Sequence, residues 1–190
     1  SIRLRRLRSQ ASLRNLLTEH RLNIKDLVLP LFVKAGNDLK IPIRSMPGHF
    51  QYSVDQLGRE IHTLNELGIS AVILFGIPSY KDKDGSSALD PSGVIPQAIE
   101  VIKKISPDML LITDLCFCEY TDHGHCGVLK DGLVDNDSTL ELLAKQALVH
   151  ARAGSDVIAP SGMMDGMIQA LRCALDNDAF SNVPILSYAV

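Results

Sequence analysis

No apolar run in this 190-residue chain approaches the roughly 18 residues that a helical membrane span requires. The N-terminus carries no apolar h-region of a secretory signal, and the expected compartment is the cytoplasm. Excess charge of one sign is also missing. Nineteen Lys and Arg stand against 22 Asp and Glu, and the net charge of −3 supplies no global attraction for nucleic acid or an anionic membrane. No Gly-x-Gly-x-x-Gly follows the first apolar segment, which weakens a dinucleotide-binding reading. Cysteine is scarce, with four in all, yet three of them fall within the eleven positions from Cys116 to Cys126. In a chain without a secretory signal, such crowding favours reduced thiols and a metal over disulfides. What remains is ordinary for a single soluble domain with a proper core, at 46% apolar and 22% charged residues.

The first 22 residues differ in kind from the rest. Six arginines (Arg3, Arg5, Arg6, Arg8, Arg14, Arg21) face one acid, Glu19, with leucines at 4, 7, 13, 16 and 17. A solvated tail is the plainest reading. A nucleic-acid arm lacks the interleaved aromatics that stack on bases. An arm packing on a neighbouring subunit uses the leucines and is preferred to the nucleic-acid arm, so the expected division is an arm over 1–22 and a folded unit over 23–190.

Asn23 is set to cap one short turn. Leu27–Val33 then reads as a strand buried on both faces, with Pro30 requiring a free edge or a bulge. Lys34–Tyr52 reads as loop. Ser53 and Gln56 form a capping-box pattern for a helix to Leu67, with Leu57, Ile61, Leu64 and Leu67 inward and Gly68 as the stop. Strands are expected at Ile69–Phe75, Met109–Leu115, Asp156–Pro160 and Val183–Val190. Helices are expected at Val94–Ile105, from Asp137 or Ser138 to Ala153, and at Met163–Leu175. Gly76–Gly93 is a polar loop long enough to cover a site. Alternating apolar strands and helices imply a parallel sheet, either doubly wound and open or closed as a barrel. A full barrel needs roughly 250 residues, so about five strands would be an incomplete one. The chain ends inside an apolar strand at Ser187–Val190, which reads as a truncation.

The chemistry concentrates in Asp114–Gly127, directly after a strand. Its spacing is Cys-x-Cys-x7-Cys, and thiolates suit zinc. Three protein ligands leave an open, catalytic position, whereas His123 or His125 as a fourth would make an inert clip. Asp114 is either a local cap or a carboxylate that handles protons beside a substrate. Ser161, at the end of the next strand, is a turn former or a ligand-binding hydroxyl. Cys173, in a helix, reads as a packed cysteine, and Lys103, Lys104 and Lys145 read as surface charges.

These residues carry a specific likeness. Asp114-Leu-Cys-Phe-Cys-Glu-Tyr-Thr-Asp-His-Gly-His-Cys-Gly127 resembles the metal loop of the zinc-dependent porphobilinogen synthases, or 5-aminolevulinate dehydratases. The likeness extends through Gly132-Leu-Val-Asp-Asn-Asp137, Ile158-Ala-Pro-Ser161, Met164-Asp-Gly166 and Leu186-Ser-Tyr188. It begins as early as Arg5–Arg8, Asp26–Pro30 and Ser45–Gly48. The resemblance implies a (β/α)8 TIM barrel, of which this chain supplies about the first five strands, and an N-terminal arm embracing a neighbour in a homo-octamer. It implies condensation of two 5-aminolevulinate molecules to porphobilinogen with loss of water, in tetrapyrrole and heme synthesis. Cys116, Cys118 and Cys126 would hold zinc, and Asp114 and Ser161 would line the substrate site. The Schiff-base lysine of the family's Ser-Tyr-x-x-Lys motif would fall just after Val190, so these 190 residues alone are expected to be inactive. An allosteric Mg2+ would lie outside the chain, and neither nucleic acid nor membrane is an expected partner. The competing class is a non-catalytic zinc-binding module.

Overall fold

Four apolar strands lie side by side, in chain order and parallel, in the computed structural model, which describes residues 1–188. Residues 1–22 come first, with a 3-10 turn at Leu4–Arg8 and helix α1 (Ala11–Leu16), and nothing is buried in either element. Asn23 caps the next turn as expected, its side chain accepting the Lys25 N–H while Asp26 accepts the Asn23 N–H. Strand β1 (Leu29–Lys34) follows. Pro30 is paired with Ile73 on one side only, because the other neighbour joins at Phe32, and this free edge accommodates the missing N–H.

The segment read as loop after β1 contains two short strands, β2 (Lys40–Pro42) and β3 (Phe50–Tyr52). They extend the sheet past β1, β3 parallel to β1 and β2 antiparallel to β3. The capping box at Ser53 does not form. Its hydroxyl accepts the Leu39 N–H at 2.9 Å instead, and a 3-10 turn at Val54–Gln56 delays helix α2 (Leu57–Leu67). Leu57, Ile61 and Leu64 are buried, but Leu67 is 57% exposed, and Gly68 ends the helix at φ +77°.

Next come β4 (Ala71–Ile77), α3 (Val94–Ile105), β5 (Leu110–Leu115), the hairpin β6 (Leu129–Lys130) and β7 (Leu133–Val134), α4 (Asn136–Ala153), β8 (Val157–Pro160) and α5 (Met167–Asn177). Helix α4 is capped by Asp135, ahead of both expected caps, Asp137 and Ser138, its side chain accepting the Ser138 N–H at 2.8 Å. Helix α5 begins four residues later than predicted. Asn136 holds Asp165 through both its N–H and its carbonyl, which keeps Met163–Gly166 out of the helix. At Val183–Val190 no regular strand appears among the described residues. Ile185 makes a single parallel bridge to Ile158, and Ala189 and Val190 lie outside the described residues.

Strand order β1-β4-β5-β8 and helix neighbours α2-α3-α4-α5 both follow the chain. A doubly wound sheet would reverse direction at a switch point. None occurs among these four strands, so their winding is that of a barrel, though the strands do not close into a ring among the described residues. Leu31, Val33, Val72, Leu74 and Leu111 face the helices and are buried. The alternate residues Phe32 and Phe75 stack with centroids 5.3 Å apart on the opposite face. The pairing of Leu74 with Thr113 puts Ile112 and Asp114 on that same opposite face.

Candidate metal centre

Strand β5 ends by delivering Asp114, and the chain then turns sharply. Phe117 is fully buried against the core made by α4, α5 and β8, and Tyr120 joins it there. The N–H groups of Tyr120 and Thr121 both donate to the Phe117 carbonyl at 2.9 Å, closing one tight turn. With Phe117 pointing inward, Cys116 and Cys118 are left beside each other, their Sγ atoms 3.2 Å apart. The chain reverses at Gly124, and the Thr121 hydroxyl donates to the His125 carbonyl at 2.8 Å, bringing Cys126 back. The next residue must be glycine. A Cβ at Gly127 would press into the Thr139 side chain and lie 3.0 Å from Met164 Cε.

The three Sγ atoms lie within 4.8 Å of one another, with Cys116 buried and the other two half-buried. Donor type and convergence both fit a soft divalent ion. The Cys116 thiol is drawn down to about 6, chiefly by the hydrogen bond from Cys118. The Cys118 thiol is pushed up, first by that same bond to Cys116, and burial pushes Cys126 up to about 11. Such a trio concentrates its negative charge on Cys116, and a bound cation would displace the remaining thiol protons.

Neither histidine joins the trio. His123 Nε2 sits 3.1 Å from the Lys83 carbonyl, and its Nδ1 accepts the His125 N–H, so both ring nitrogens are engaged. Among the described residues, the group that converges is the three cysteines. Asp114 is only 7% exposed, and burial pushes its carboxyl up to about 7, with the Glu119 and Cys116 charges adding to the rise. Hydroxyls of Ser161 and Tyr188 oppose it, the latter donating to Asp114 Oδ1 at 3.3 Å. Ser161 is exposed at the end of β8, its N–H on the Leu115 carbonyl.

The structure thus brings Asp114, Ser161 and the three cysteines to one end of the sheet. Tyr188 and Glu119, whose carboxylate accepts from the Cys118 thiol at 3.2 Å, belong to the same cluster. Adjacency to Cys118 was the available signal for Glu119; Tyr188 is brought in from 74 residues away, which no local pattern announces. Cys173 is exposed rather than packed, and Lys103 is not a free surface charge, its Nζ lying 2.7 Å from Asp156 Oδ2.

The family profile described as Delta-aminolevulinic acid dehydratase matches residues 1–190. The chain belongs to this family. Its dehydratase relatives include the Synechocystis protein, 51% identical, with 100% of this chain and 59% of that one covered. The Halalkalibacterium halodurans dehydratase is 48% identical, with 98% and 57% covered. A crystal structure of the Toxoplasma gondii dehydratase (porphobilinogen synthase), in complex with the reaction product porphobilinogen, superposes with a TM-score of 0.94 at 36% identity. It covers 99% of this chain and 54% of that one. The chain therefore spans under two thirds of these dehydratases, and its sheet is part of their (β/α)8 barrel.

Proposed function

We propose that the protein is a porphobilinogen synthase that condenses two 5-aminolevulinate molecules, with loss of water, in heme biosynthesis. The observation that carries this reading is the convergence of three thiols beside a buried carboxyl at the C-terminal end of a barrel strand. Cys116, Cys118 and Cys126 would hold zinc, which when bound supplies a Lewis acid with an open position for a substrate oxygen. Asp114, near 7, both accepts and returns a proton at Oδ1 close to neutral pH. Tyr188 orients that oxygen, and the exposed Ser161 hydroxyl, beside the same carboxyl, would bind substrate.

The covalent half of the reaction belongs to lysines outside these residues. The Ser187-Tyr188-x-x pattern puts the first of them just after Val190, so residues 1–190 alone are predicted to turn over no substrate. Any allosteric Mg2+ ligands would also lie elsewhere. Residues 1–22 are read as an arm for homo-oligomer contacts, octameric in form. Leu4, Leu16 and Leu22, each more than 70% exposed, support that reading. Among the described residues no helix is long and apolar enough to cross a membrane. The proposed compartment is the cytoplasm.

The test is borohydride trapping on the full-length protein with 5-aminolevulinate, read by mass spectrometry. A reduced lysine adduct is expected. Stoichiometric zinc without any adduct would leave only a zinc-binding module.

A further inference from the structure

The polar loop between β4 and α3 folds back onto the cysteine loop, and one carboxylate organises it. Asp82 Oδ1 accepts the N–H groups of Asp84 at 3.0 Å and Ser86 at 2.9 Å, while the Ser86 hydroxyl donates to Oδ2. The Ser86 hydroxyl, followed by its N–H, holds this carboxyl below the usual carboxylate range, so the acceptor stays charged. The turn it closes includes Gly85 at φ +62°, where a Cβ would lie 2.6 Å from the Phe117 ring. Phe117 is the residue between Cys116 and Cys118.

The main chain of the same turn pairs with the far half of the cysteine loop. Asp82 N–H donates to the Tyr120 carbonyl at 3.4 Å, and Asp122 N–H donates to the Asp82 carbonyl at 3.0 Å, as a parallel bridge across Thr121. One residue on, the Lys83 carbonyl meets His123 Nε2. The turn therefore backs the Cys116–Cys118 side through Phe117 and braces the Tyr120–His123 return that carries Cys126. Among the described residues it makes no hydrogen bond to the three sulfurs. Three ligands from a single loop converge only if that loop is held closed, and ordering a loose loop at the moment of binding lowers affinity.

We propose that Asp82 is a positioning residue for the metal, its carboxylate fixing the turn that holds the three thiols in register. This rests on the three-thiol reading above.

The test uses the full-length protein, with zinc affinity from chelator competition and the thiolate-to-cobalt charge-transfer band of the Co2+-substituted form. Asp82→Ala is expected to weaken zinc binding by about tenfold or more and to shift the band. Asp82→Asn keeps an Oδ1 acceptor for both N–H groups and is expected to recover most of the affinity. Ser86→Ala, a milder change, is expected to weaken binding measurably and carries the test if Asp82→Ala does not fold. Arg152→Ala, which breaks a surface pair with Asp178, serves as a control for general destabilisation. Zinc affinity within twofold of the parent in both Asp82→Ala and Ser86→Ala, with an unmoved band, overturns the inference. So does an equal loss in Arg152→Ala. A parent that binds no metal sinks the three-thiol reading itself, a distinguishable result.

Discussion

His150 should make this fold acid-sensitive in a way that a single substitution removes. It lies on α4, 1% exposed, and its Nδ1 has no hydrogen-bond partner; one turn earlier, the Gln146 amide is likewise buried and unpaired. Burial alone pushes the His150 imidazole down to about 4 from an ordinary 6.5, with no charged neighbour contributing. Because the folded value is depressed, the associated stability is fully present above 6.5. It drains away as pH falls toward 4, where the unfolded chain takes up the proton and the folded one resists. At about 1.4 kcal/mol per pH unit, the full loss is about 3 kcal/mol, of which about 2 kcal/mol has gone by pH 5. Against a typical domain stability of roughly 5–15 kcal/mol, that is a large share. The assay is urea unfolding of parent and His150→Leu at pH 8, 6.5, 5 and 4.5. Carboxylate contributions are common to both, so the difference between the curves isolates the imidazole. The variant should gain about 2 kcal/mol on the parent between pH 8 and pH 5. Curves that stay parallel over that range would mean that His150 takes up its proton equally in the folded and unfolded chain.

Cys126→Ala should abolish stoichiometric zinc, while Cys173→Ser, exposed on α5, should leave zinc content unchanged by elemental analysis. Ile102→Ala, at a fully buried position on α3, should cost about 2–5 kcal/mol in urea unfolding; Leu67→Ala, on the exposed flank of α2, should cost under about 0.5 kcal/mol. Asp156→Asn should cost about 1–2 kcal/mol, since Asp156 Oδ2 accepts from both Lys103 Nζ and the Leu111 N–H at 2.7 Å.

The elements with strong periodicity were legible from the chain. Val94–Ile105 matches α3 residue for residue, because its apolar stripe, its Gly93 start and Pro96 in the first turn all agree. The parallel sheet was legible from continuous apolar runs, but barrel and open sheet share that signal. Only the strand order separates them. What was missed has tertiary causes. Strands β2 and β3 are three residues each, too short for a period. Ser53 gave its hydroxyl to Leu39 rather than to the helix, and Asn136 pulled Asp165 away from the start of α5. Cys173 was readable but misread, since it lies two residues from buried Leu171, on the opposite side of α5. At the site, the cysteine spacing picked out the three thiols that converge. It left the histidines undecided, because their exclusion depends on the Lys83 carbonyl from another loop.

Zinc K-edge X-ray absorption on the full-length protein distinguishes an open three-thiolate centre from a closed clip. An open centre shows three sulfurs at about 2.3 Å and one light scatterer. Adding 5-aminolevulinate should change that light scatterer and leave the sulfur shell intact. A fourth ligand with the outer-shell signature of imidazole, unmoved by substrate, would contradict it.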